Sequence, residues 1–132
     1  MTSIITLWRP VGRAEYDLLV KSGMRRWPPR LDHQPIFYPV LNRGYAVQIA
    51  REWNTKDEVS GFIGIVTEFD VDAAYAAQFD RQIVGGKEHE ELWIPAEELE
   101  AFNENIVGEI RVVDVFYGEH YGGEKLSHSG SA

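Results

Sequence analysis

The stretch His89-Glu90-Glu91-Leu92-Trp93-Ile94-Pro95, followed directly by Ala96-Glu97-Glu98-Leu99, decides how the rest of the chain is read. Leu92, Trp93 and Ile94 are three large apolar residues in a row, which suits a short strand covered on both faces. Pro95 is expected to stop that strand and to suit the first turn of a helix, where the N–H that proline lacks has no partner anyway. Glu97 and Glu98 then fall in the turn where the helix dipole favours negative charge. Acidic side chains run straight into the apolar segment. Strand alternation places His89 and Glu91 on one face and Glu90 on the other. A carboxylate at the lip of a buried strand is either a solvated strand end or a working group in a cleft.

Composition sets the frame for that choice. With 132 residues, 44% apolar and 26% charged, the chain suits one globular domain with a core of useful size. The domain is expected to span residues 1–118; the Gly-, Ser-, His- and charge-rich residues 119–132 read as a flexible tail. Four Trp, six Tyr and six Phe suggest an aromatic-lined core or cleft. The 13 basic and 21 acidic side chains give a net charge of −8, which argues against duplex nucleic acid as a partner. The absence of cysteine excludes disulfides, thiolate zinc sites and cysteine nucleophiles. No signal peptide and no run of membrane-spanning length is visible, so the expectation is a cytoplasmic protein with no membrane partner.

Taken in order, a first strand covers Ser3 to Arg9 and ends at Pro10, and a helix from Gly12 or Arg13 closes on a left-handed Gly23. Residues 23–35 form a basic, proline-rich loop with Arg25, Arg26 and Arg30. Pro35 to Val40 is a short strand bounded by prolines, and Asn42 caps a helix with Tyr45, Ala46, Ile49, Ala50 and Trp53 at helical spacing. Ser60 to Val71 is the longest strand candidate, and Asp72 caps a short helix running to Phe79. Gln82 to Val84 pairs briefly before a Gly85-Gly86 turn. After the organising strand come a helix from Ala96 to about Asn105 and a last strand from Gly108 to Tyr117. The sum is α+β: a small, strongly twisted, mostly antiparallel sheet with about three helices.

Four groups carry candidate chemistry. Arg9, after Trp8 at a strand end, can hold a diphosphate or carboxylate through two parallel hydrogen bonds, or can cover Trp8 with its stem. Phe37 and Tyr38 face opposite ways, so one can enter the core while the other lines a pocket. Glu91, rigid beside Leu92 and Trp93, is the catalytic candidate, with His89 to orient a substrate group or relay a proton. The arginines of the basic loop hint at an anion site. Metal chemistry has little support: Asp70 and Asp72 share a strand face, and His33, His89, His120 and His128 are scattered without a zinc-hydrolase spacing. No phosphate-binding glycine loop and no nucleophile elbow is present.

Together these segments resemble the ADP-ribosyltransferase fold. Thr6-Leu7-Trp8-Arg9 is similar to that family's first-strand motif, and Ile36-Phe37-Tyr38 with Ala46 and Ala50 to its aromatic strand and following helix. His89-Glu90-Glu91 with Leu92-Trp93-Ile94-Pro95 is similar to its glutamate-bearing triplet. The resemblance implies NAD+ as substrate, with Arg9 on phosphate or ribose and Tyr38 near nicotinamide. Trp8 and Arg30 are counted with them as cofactor-binding. Glu91 would bond the ribose 2′-hydroxyl and stabilise the oxocarbenium, with His89 beside it, no metal, and a protein acceptor among the implied partners. From residue 5 to 117 the chain also resembles short bacterial proteins called "ADP-ribosylation/crystallin J1", which share Trp8-Arg9-Pro10-Val11-Gly12, Gln34 to Asn42, and Trp93 to Leu99. That label implies ADP-ribosyl-glycohydrolases, which are longer, helical and magnesium-dependent; the length and strand content here fit the transferase-like fold better. Two departures stand out. His89 occupies a triplet position usually held by Glu or Gln, and no clear Ser-Thr-Ser segment exists. A non-catalytic nucleotide-, anion- or protein-binding module on the same fold is the alternative.

Overall fold

A computed structural model describes residues 3–30, 35–86 and 89–126. It is α+β, and every named strand pairing is antiparallel. The central strand is β3 (Ile63–Asp72), flanked by β1 (Ile4–Val11) and β7 (Ile106–Tyr117). Ile63, Ile65, Thr67, Phe69 and Val71 alternate onto one face of β3 and are fully buried. The opposite face is covered only at its start, where Gly64 and Val66 meet helix α2 (Arg43–Glu52). Further along, Glu68 and Asp70 bind Arg111 of β7, Trp8 and Thr6. One face is core throughout; the other changes from core to polar surface.

Helix α2 reaches the sheet because its contact residues are small. Asn42 accepts the Tyr45 N–H at 3.1 Å as N-cap, and Ala46 and Ala50 are fully buried against Val40 and Val66. A β-carbon on Gly64 would stand 2.3 Å from the Ala50 carbonyl oxygen, so any side chain there would push the helix off the sheet. On the core face, α1 (Arg13–Lys21) contributes Leu19, and the chain turns at Gly23 with φ +76°. Trp27, Phe37, Phe69 and Phe102 form an aromatic cluster with centroid separations of 5.2–6.2 Å.

The remaining strands are short. β2 (Ile36–Phe37) pairs with β6 (Ile94–Pro95), and β4 (Arg81–Ile83) with β5 (Glu90–Leu92). The bridge between Val40 and Glu91 continues the β2–β6 register, so residues 36–41 and 90–95 form one interrupted ladder. A one-turn helix α3 (Ala73–Ala76), capped by Asp72, and α4 (Leu99–Glu104) complete the described elements.

Several expectations need correcting. Pro10 does not end the first strand; its missing N–H points away from β3, on the side where Trp8 bonds Val40, so no ladder bond is lost. The organising strand is covered on one face only. Leu92 and Ile94 are buried, but Trp93 is 42% exposed and divides β5 from β6. Pro95 pairs with Ile36, and the helix begins as a 3-10 turn over Ala96–Glu98. β7, with 12 residues, is longer than β3, which begins at Ile63 because Gly61 and Phe62 both take positive φ. The expected tail over residues 119–132 is not among these corrections: residues 127–132 lie outside the described residues, and before them Tyr121 packs on Tyr117 at 5.0 Å and the Leu126 N–H reaches the Tyr117 hydroxyl at 2.7 Å.

Candidate functional site

Where β1 and the 36–41 strand separate, the sheet opens into a cleft. The two are joined at Trp8 and Val40 by hydrogen bonds of 3.0 and 2.8 Å. The next pair in that register would be Pro10 with Tyr38, and proline has no N–H to continue it. β2 instead follows β6, leaving a gap between β1 and residue 38. Helix α1 borders the gap on one side; α2 and the 3-10 turn Asn54–Lys56 border it on the other. The cavity measures about 550 Å³, in the range of small-molecule sites. Arg9, Glu15, Arg30, Tyr38 and Glu91 line it. Four of the six candidate residues therefore share one space, although they are separated by up to 82 positions from Arg9 to Glu91.

Glu91 stands on the α2 side. The Tyr45 hydroxyl donates to its Oε2 at 2.7 Å, and the Trp93 indole N–H donates to its Oε1 at 3.0 Å. Both donors are neutral, and no cation pairs with Glu91 among the described residues. Each carboxylate oxygen keeps acceptor capacity for a ligand. Burial, and then the bond to Glu91, push the Tyr45 phenol up to about 12, so it remains a donor at neutral pH. His89 does not line the cleft: its ring stacks on Tyr45 at 4.2 Å and 12°. Its contact with Glu91 runs through the Tyr45 ring.

A second carboxylate lies on the α1 side in different company. Glu15 accepts from Arg9 through Nε at 2.6 Å and Nη2 at 3.0 Å, a two-pronged pair. Arg30 Nη1 stands 3.9 Å away, and both guanidinium groups lie over the Phe37 ring, at 4.7 Å for Arg9 and 5.7 Å for Arg30. Burial opposes ionisation of Glu15, but the two arginine charges and the Arg9 hydrogen bonds outweigh it and hold the carboxyl below its ordinary range. Burial and the charge of Arg9 lower the Arg30 pKa. The Arg30 side chain is 8% exposed, and its Nε is buried with no hydrogen-bond partner among the described residues.

The Arg30 segment is held from below. Asn103 of α4 accepts the Trp27 N–H at 2.7 Å and returns a bond to the Trp27 carbonyl at 2.9 Å, both buried. Arg25 and Arg26 are exposed and do not line the cleft, so Arg30 alone of the three loop arginines enters it.

Trp8 lies outside the cleft. It faces the α2 side of β1, and its indole N–H donates to Glu68 at 3.0 Å. Tyr38 and Phe37 do divide between surface and core: Phe37 is fully buried, whereas Tyr38 is 40% exposed, lines the cleft and meets Trp93 edge-on at 5.9 Å. Asp70 and Asp72 share a face, but Asp70 binds Thr6 and Arg111 and Asp72 caps α3. Among the described residues no three His, Asp or Glu side chains come together as a metal site; His33 and His128 lie outside those residues. No helix among them is long and apolar enough to cross a membrane.

Sequence reasoning missed Tyr45 and Glu15. Tyr45 was visible as a helix residue three positions beyond the Asn42 cap, but its hydroxyl partner is 46 positions away. Glu15 offered a signal, as the one acidic residue in the first turn of α1 after an arginine-bearing strand. Comparison with protein families, with curated proteins and with solved structures yields no match.

Proposed function

We propose that the chain carries out ADP-ribosyl chemistry on NAD+, as a transferase or a glycohydrolase on an ADP-ribosyltransferase-like fold. The observation that carries this reading is the state of Glu91: a carboxylate on a cleft wall, fixed by two neutral donors and paired with no cation among the described residues. Such a group keeps its charge available for a positive centre that develops in the cleft. When the bond between C1′ and the nicotinamide nitrogen breaks, the electron pair leaves with nicotinamide. Positive charge then spreads over C1′ and the ring oxygen. Glu91 stabilises that charge and accepts from the ribose 2′-hydroxyl. Arg9 and Arg30, in the same cleft, suit the diphosphate, and Tyr38 offers a ring face to nicotinamide. His89, in the place usually held by Glu or Gln, supports Glu91 through Tyr45.

One observation favours the second reading, a binding module without turnover. Arg9 already spends two of its donors on Glu15. Nicotinamide release from NAD+ by wild type and Glu91→Gln tests the choice, with NAD+ binding followed by calorimetry in the same samples. Release that disappears in the variant while binding persists is the expected result. Binding without release, unaffected by Glu91→Gln, would favour the module; neither binding nor release would remove NAD+.

A further inference from the structure

Two guanidinium groups and one carboxylate make an unequal set. Arg9 and Arg30 both lie within 6 Å of the Phe37 ring centre, and among the described residues the only carboxylate within salt-bridge reach of either is Glu15. Among the described residues, Glu15 neutralises one positive charge and leaves the other over, in a chain whose net charge is −8. Its bond to Arg9 uses the same fork that a phosphoryl group would use. Arg30 is farther from it, 3.9 Å from the nearer oxygen, and holds a buried N–H with no acceptor among the described residues. A buried donor left unmatched is costly, so this half of the cleft is built for one more acceptor than the described residues supply. Glu15 keeps a side exit: its side chain is 21% exposed, on the first turn of α1.

We propose that Glu15 is a displaceable internal counterion, and that a diphosphate-type oxyanion binds by turning Glu15 toward solvent and bridging Arg9 and Arg30. The proposal rests on the reading of the cleft as a nucleotide site and adds its selectivity. A singly charged anion gains too little to displace Glu15. A diphosphate satisfies both arginines and the N–H that has no acceptor among the described residues. Affinity is thereby held down in the native chain, and removing the Glu15 charge raises it.

The test is calorimetric titration with inorganic diphosphate at fixed salt, using wild type, Glu15→Gln, and Arg30→Met in both backgrounds. Glu15→Gln should bind at least about tenfold more tightly than wild type, about 1.4 kcal/mol. Arg30→Met should remove that gain. Glu104→Gln makes the same charge change at an exposed position outside the cleft and should leave affinity where it was. If Glu15→Gln fails to fold, Glu15→Asp, which draws the carboxylate back by one methylene, should show a smaller gain in the same direction. Equal or weaker binding by the folded variant, no detectable binding by either protein, or an equal gain in Glu104→Gln would overturn the proposal. Diphosphate tightening in a protein that neither binds nor turns over NAD+ would remove the NAD+ reading alone; NAD+ turnover with unchanged diphosphate affinity would remove the counterion alone.

Discussion

Two glutamates line the same cleft and are held in opposite ways. Glu15 is gripped by one arginine and approached by a second; Glu91 is gripped by a phenol and an indole. Cationic partners consume a carboxylate's charge, whereas neutral donors fix its position and leave the charge in place. The same side chain is therefore a counterion on the α1 wall and an available anion on the α2 wall. A ligand negative at one end and developing positive charge at the other matches that polarity.

The largest effect should come from Glu91→Gln, which keeps shape and removes charge. Loss of one preorganised electrostatic group costs about 10²–10³ in rate, or roughly 3–4 kcal/mol, and nicotinamide-release kinetics would read it. NAD+ affinity should change little. Asn103→Leu should dismantle the other wall: it strands a buried N–H and carbonyl of Trp27, at a cost of about 3 kcal/mol in denaturant unfolding, and loosens the segment that carries Arg30. Anion affinity should fall with it, while the Tyr45–Glu91 bond stays intact.

Glu15→Gln leaves two cations without their carboxylate and should cost about 2 kcal/mol at neutral pH. Because the folded-state pKa of Glu15 lies below its unfolded value, its contribution is present above the unfolded pKa and is lost as pH falls through the folded one. The stability gap between wild type and variant should hold at neutral pH and close as pH drops below 4.5, the ordinary value for this group. A gap independent of pH would mean that the charge of Glu15 stabilises nothing. The smallest effect belongs to Tyr45→Phe, which removes one of the two donors on Glu91: about tenfold in turnover, with stability lowered by about 1 kcal/mol.

Local signals were legible in the sequence. The Asn42 and Asp72 caps, the left-handed Gly23 and the alternation of Phe37 and Tyr38 follow from residue type and immediate neighbours. Ala46 and Ala50 were legible as positions at helical spacing and Gly64 as a point of close approach on its strand, but not that the two meet. Pro10 and Trp93 misled because each depends on what pairs beside it. A proline is harmless where its strand is unpaired on one side, and an indole in an apolar run stays half exposed when only one face of its strand is covered. The cleft itself is a product of strand divergence after Trp8–Val40, a long-range event with no local signature. Of its lining, Arg9, Arg30, Tyr38 and Glu91 were each legible by chemistry alone, whereas Glu15 and the Arg9–Glu15 and Tyr45–Glu91 bonds that give the two walls their character lay out of reach.

The most direct measurement compares binding of two ribose mimics, a cationic iminoribitol and its neutral carbocyclic counterpart, by wild type and Glu91→Gln. This isolates the charge of Glu91 from turnover and from any acceptor. If Glu91 presents its carboxylate to a positive centre in the cleft, wild type should prefer the cation by at least about tenfold, and Glu91→Gln should lose that preference while retaining the neutral ligand. Equal affinity of wild type for both mimics, or a preference that survives in Glu91→Gln, would contradict the role assigned to Glu91.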